Sequence, residues 1–211
     1  MRPIALAALP LALVLAGTVW AEPKQTPGKP DVTRVAAGTY TADPLHTLVE
    51  WRINHMGFND YFGLFGSITG TLVIDPAQLD QARVAVRIPV RKVTTASEGL
   101  TGHLLRPSGD GGKPDFFGPK PADALFVSTA VKPGADGTSA KIEGRLTLNG
   151  VTRPVTLDAR FAGAGKNPMN GKQTLGFHAT ARIMRSEFGM GTSIPLVGDA
   201  IDLQISAGFQ R

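Results

Sequence analysis

The residues with the widest chemical capacity are four histidines, His46, His55, His103 and His178, in a chain without cysteine. Lack of cysteine excludes thiolate metal sites, disulfides, thiol nucleophiles and a thioether lipid anchor. No two histidines have the short spacing of a ligand pair. His46 and His55 fall on opposite phases of one alternating stretch, so sharing a metal needs a break between them. His178 lies on the polar phase of another stretch. Neither a metal nor a cofactor is expected. Residues 165–172 resemble a phosphate loop, but they carry one residue too many between the glycines and Gln173 where Ser or Thr is needed. Gly189-Met190-Gly191 lacks the third glycine of a dinucleotide loop, and no Gly-x-Ser-x-Gly elbow occurs. No catalytic residue is nominated, and the reading is not an enzyme.

The elements that position these groups follow from composition. The chain has 211 residues, 42% apolar and 18% charged, with 25 Gly and 16 Pro. So many turn formers beside so few charges argue for a β-rich fold with one buried core. The apolar mass is too evenly spread for a disordered chain. The net charge of +5 is mild. Its basic residues are dispersed, the densest groups being pairs such as Arg91-Lys92, so nucleic-acid binding is not expected.

Residues 1–21 read as a cleaved export signal: Arg2, an apolar run, then Val19-Trp20-Ala21 before the cut. Residues 22–38, rich in Pro, Lys, Gly and Thr, read as a flexible leader. The folded domain is expected at 39–211.

From Tyr40 onward a two-residue period recurs. Val49, Trp51 and Ile53 alternate with Glu50, Arg52 and Asn54. Similar runs hold Val84 to Val90, Ile142 to Leu148, Val155 to Phe161, Phe177 to Ile183 and Ile201 to Phe209. Two more, 67–74 and 125–131, bring the count to about eight. Asn149-Gly150 between two runs is a strong hairpin signal. The one short helix is expected near 97–105, with a second turn near Asp115. Eight meandering strands with one apolar face cannot lie open in water, and closure into an antiparallel barrel buries that face. Small inward positions, Gly70, Gly144, Ala179, Ala181 and Ala207, either offset bulky neighbours or leave a tunnel. Phase alone does not choose.

Further signatures are not required by packing. They are residues 40–47 with Tyr40, Asp43, Pro44 and His46, then His55-Met56-Gly57 and Gly63-Leu64-Phe65. His103-Leu104, Asp115-Phe116-Phe117, residues 126–129, 144–155 and 185–189 follow in order. In order and spacing they resemble the YceI-like family of exported bacterial proteins over residues 40–209. The resemblance implies an eight-stranded, lipocalin-like antiparallel barrel, a periplasmic location, and a tunnel holding a polyisoprenoid such as a quinone tail. Departures from the family pattern cluster at the helix: Thr101 and Gly118 stand where acids are common, and residues 107–114 look inserted.

The candidate tunnel walls are Val49, Trp51, Ile53, Val86, Ile88, Leu146 and Phe177, on inward phases. Loop aromatics Phe62, Phe65, Phe116, Phe117 and Phe188 are added. His46, His55, Arg185 and Ser186 are candidates for the mouth or a polar head. The leading function is an exported carrier of a polyisoprenoid lipid or quinone, with transient membrane contact and a homodimer left open. The alternatives are a lipid-modifying enzyme on the same barrel and a stress-response scaffold with a filled core.

Overall fold

The computed structural model describes residues 25–109 and 111–211. The expected signal at 1–21 lies outside the described residues. Ten strands form one antiparallel sheet: β1 (Gly38–Ala42), β2 (Leu48–His55), β3 (Asn59–Phe65), β4 (Thr69–Ile74), β5 (Arg83–Ile88), β6 (Ala124–Pro133), β7 (Ser139–Leu148), β8 (Val151–Lys166), β9 (Gln173–Met184) and β10 (Val197–Gln210). The ring runs β1-β4-β5-β6-β7-β8-β9-β10 and closes where Thr41 meets Gln210 and Ala42 meets Phe209. β2 continues the line of β1 along β10, and β3 with β4 forms the neighbouring line, so the barrel is eight-stranded.

The break between β1 and β2 has a local cause. Asp43 accepts from the backbone of Leu45 at 3.0 Å and pairs with His46 Nδ1 at 2.7 Å, turning the chain outward. The Thr47 hydroxyl then bridges to β10, accepting from Gly208 N–H and donating to its carbonyl, both at 3.1 Å. Asn149 and Gly150 join β7 to β8 with φ of 52° and 77°, the left-handed pair that a type I′ turn requires.

The one α-helix, α1 (Glu98–Leu105), begins where the Ser97 hydroxyl accepts from Leu100 N–H at 3.3 Å. The chain then returns so that Phe117 N–H donates to the Leu104 carbonyl at 3.1 Å. Residues 115–117 are a bend rather than the helical turn expected there. Leu104 of α1 and Phe116 and Phe117 of this bend pack against Trp51 and Ile53 of β2 and Ile201 of β10. Arg106 and Asp115, 3.2 Å apart, tie the ends of the inserted segment together.

Residues 22–38 were expected to be a flexible leader; their described part corrects this. Lys29 and Ala164 exchange two backbone hydrogen bonds of 3.1 and 2.8 Å. Arg34 donates to the carbonyls of Pro27 and Ala164 at 3.1 Å each, and Gln173 Nε2 donates to the Arg34 carbonyl at 2.9 Å. The segment is a strap along β8. Gly165 admits it, because a Cβ there would collide with the Pro27 carbonyl. Gly165→Ala is therefore expected to lift the strap. Limited proteolysis within residues 25–35 should accelerate while the urea midpoint moves little; an unchanged cleavage rate would refute the latch.

Candidate functional site

Inward residues of the barrel are less buried than a filled core allows. Val84, Val86 and Ile88 on β5, and Ile201, Leu203 and Ile205 on β10, are all only part-buried. They face internal space. A cavity of about 600 Å³ lies between the strap and the barrel middle, and a second of about 280 Å³ lies under α1. Val49, Ile88, Leu146 and Leu203 line both and form the waist between them. The sizes suit ligand cavities, which are mostly apolar with few polar groups. The small inward residues divide accordingly. Ala179 and Ala207 line the larger cavity, Phe126 lies over Gly144, and Ala181 packs into the core cluster with Phe126 and Leu146.

The larger cavity takes Val86 and Phe177 from the candidate walls, with strap residues Val32 and Val35 beside them. Phe177 sits between Phe161 and Phe209 in edge-to-face contacts of 5.7 and 6.2 Å. Its polar lining, including Thr33, Arg83, Thr138, Ser139 and Arg160, gathers toward the strap and the β6–β7 turn.

The smaller cavity takes Trp51, Ile53, Phe65, Phe116 and Phe117. Phe117 meets Phe65 edge-on at 5.9 Å, and Phe116 meets His103 at 5.5 Å. His103 also lies 3.4 Å from Asp115, which holds the bend against α1. Arg106 first, and His103 after the opposing effect of burial, keep the Asp115 carboxyl below its usual range.

Two buried polar groups stand out. Trp51 is 8% exposed, and its Nε1–H has no hydrogen-bond partner. An unpartnered buried donor costs about 1–3 kcal/mol. Its indole lies against Gly63, its cross-strand neighbour, in the space a Cβ would fill. Arg185 is 2% exposed and donates to four backbone carbonyls, those of Met190, Thr192, Val197 and Gly198. Phe116 stacks 5.7 Å from its guanidinium carbon. Burial lowers the Arg185 pKa from its ordinary value, and the charge of Asp199 opposes this.

Four candidates fall elsewhere. Phe62 is on β3, not a loop, and it faces outward. It pairs with Arg52, whose guanidinium reaches Asp60 and Asp202 on the outer surface. There Asp202, gripped by Arg182 and Arg52, is held down to about 2. Phe188 is fully buried behind the wall in the single turn Arg185–Phe188 and lines neither cavity. His46 is exposed on the Asp43 turn. Ser186 is exposed, its hydroxyl bonded to Asp199 at 2.7 Å. His55 and Arg185 do line the smaller cavity, joined by Tyr61 and His103, which had not been nominated as site residues. The signal for Tyr61 was its two-residue spacing to Gly63 and Phe65. For His103 it was the neighbouring Leu104 on a helix too short to serve as core by itself. Among the described residues no group of three His, Cys, Asp or Glu is placed to hold a metal, and no helix is long and apolar enough to cross a membrane.

A YceI-like domain family matches residues 40–209. The chain is 36% identical over 168 residues to the protein YceI of Escherichia coli strain UMN026, covering 79% of this chain and 83% of that one. It superposes on the crystal structure of the Campylobacter jejuni YCEI protein with a TM-score of 0.61 and 27% identity, covering 75% and 89% of the two chains. A polyisoprenoid binding domain from Saccharophagus degradans has the same fold at 9% identity, with a TM-score of 0.56 and coverage of 81% and 97%.

Proposed function

The chain belongs to the YceI-like family, and from that premise we propose that it is an exported, non-catalytic carrier that holds a polyisoprenoid chain along the barrel axis. The joined apolar cavities carry this reading. A polyisoprenoid tail has no hydrogen-bonding groups, so its affinity comes from apolar surface removed from water, at about 25 cal/mol per Å² gross. Ordering and association costs offset much of that, so the wall must be long and apolar. Two chambers meeting at Val49, Ile88, Leu146 and Leu203 supply such a wall. The polyisoprenoid binding domain that shares the fold supports the ligand class. Periplasmic residence follows from the reading of residues 1–21 as a cleaved signal.

A carrier is favoured over a lipid-modifying enzyme because the Ser186 hydroxyl is committed to Asp199, the Asp43–His46 pair lies outside the barrel, and the His103–Asp115 pair beside the smaller cavity ties the bend to α1. The cavities disfavour the filled-core scaffold. Native mass spectrometry of the protein purified from its own exported compartment tests the proposal. A bound mass in multiples of isoprene units is expected. Protein that is empty, and that takes up no isoprenoid from vesicles, would overturn it.

A further inference from the structure

The smaller cavity has a one-sided polar inventory. Trp51, Tyr61, His55, His103 and Arg185 can all donate hydrogen bonds, and no Asp or Glu is in its lining. Of these donors, the Trp51 indole N–H is the one buried side-chain polar atom without a partner among the described residues. The Arg185 guanidinium is already directed at four backbone carbonyls. The larger cavity keeps its polar residues at the far end, beside the strap.

We infer that the smaller cavity is a head-group chamber for an uncharged carbonyl, with the Trp51 indole N–H as its donor and the tail passing the waist into the larger cavity. The inference rests on the isoprenoid-carrier reading and adds the ligand's head chemistry and its direction in the barrel. A carbonyl oxygen needs one donor and brings no charge into an apolar chamber. A diphosphate needs several charge-assisted donors to leave water, and the one permanent cation here is engaged with backbone. An ammonium meets that cation and finds no carboxylate. Gly63 makes the geometry workable: without a Cβ there, the indole has room against β3 while Trp51 still lines the chamber.

The test uses four probes with one geranylgeranyl skeleton: geranylgeranylacetone, geranylgeranyl diphosphate, geranylgeranylamine and the headless hydrocarbon. Affinities come from Trp51 fluorescence or competition. The indole ¹⁵N–H resonance, identified as the one that Trp51→Phe removes, reports the hydrogen bond directly. The ketone is expected to bind about tenfold tighter than the other three and to move the indole proton downfield. Trp51→Phe should bring ketone and hydrocarbon to within about twofold of each other. Equal binding of all four with a stationary resonance overturns the head-group chamber while leaving the carrier intact, and so does preference for the diphosphate or the amine. Failure of every probe to bind removes the carrier reading itself. The resonance shift is read in the wild-type protein, so it stands even if Trp51→Phe folds poorly.

Discussion

Ala179→Phe is expected to abolish uptake of a long isoprenoid, while Ala181→Phe, two residues along the same strand, is expected to destabilise the fold. Ala179 lines the larger cavity, with Ala159 and Ile205 as its cross-strand partners. A ring added there occupies ligand space, so affinity for a tail reaching past the waist should fall by tenfold or more, about 1.4 kcal/mol or above. The urea midpoint should hold, because the added bulk displaces no packed atom. Ala181 is opposite Leu203 and packs against the cluster of Phe126, Leu146 and Ile183, lining neither cavity. Overpacking there costs about 1–3 kcal/mol. Isoprenoid titration and urea denaturation of both variants check the pair. Equal destabilisation would mean that the space beside Ala179 is filled in solution, and the carrier reading would fail with it.

That contrast also shows where periodicity stops being informative. Ala179 and Ala181 share an inward phase, and phase is what a two-residue period encodes. Which inward residue meets a cavity depends on the side chains across the barrel, such as Phe126 lying over Gly144. The ring strands with clean alternation were legible, as was the Asn149-Gly150 turn. β3 was not, because Asn59, Asp60 and Gly63 interrupt its apolar period, and so Phe62 was assigned to a loop wall it does not form. The strap was missed for a different reason. Its Pro and Gly content disfavours a regular element, yet Lys29, Arg34 and Gly165 hold it by backbone contacts that hydropathy does not register. Phe188 and Arg185 are near one another in sequence, and the first was expected in the tunnel wall and the second at its mouth. Burial assigns one to the core behind the wall and the other to the loop beneath Phe116.

Arg185 carries the largest expected effect on stability. Burying a guanidinium without a paired carboxylate is costly, and here the compensation comes from backbone carbonyls of residues 190–198. The side chain thereby fixes the connection from β9 to β10, which borders the smaller cavity through Met190 and Val197. Arg185→Met fills similar volume but leaves four acceptors without their donor. With about 1–3 kcal/mol for each acceptor that water does not rescue, and partial rescue on this exposed loop, a loss of about 3–5 kcal/mol is expected. Arg185→Lys should recover little, since an ammonium lacks the planar fork that spans carbonyls on both sides of the loop. Urea denaturation gives the magnitude, and faster proteolysis within residues 189–196 locates it. If Arg185→Met instead keeps wild-type stability and loses only ligand, the guanidinium belongs to the head-group chamber as a ligand contact, and its backbone bonds are incidental.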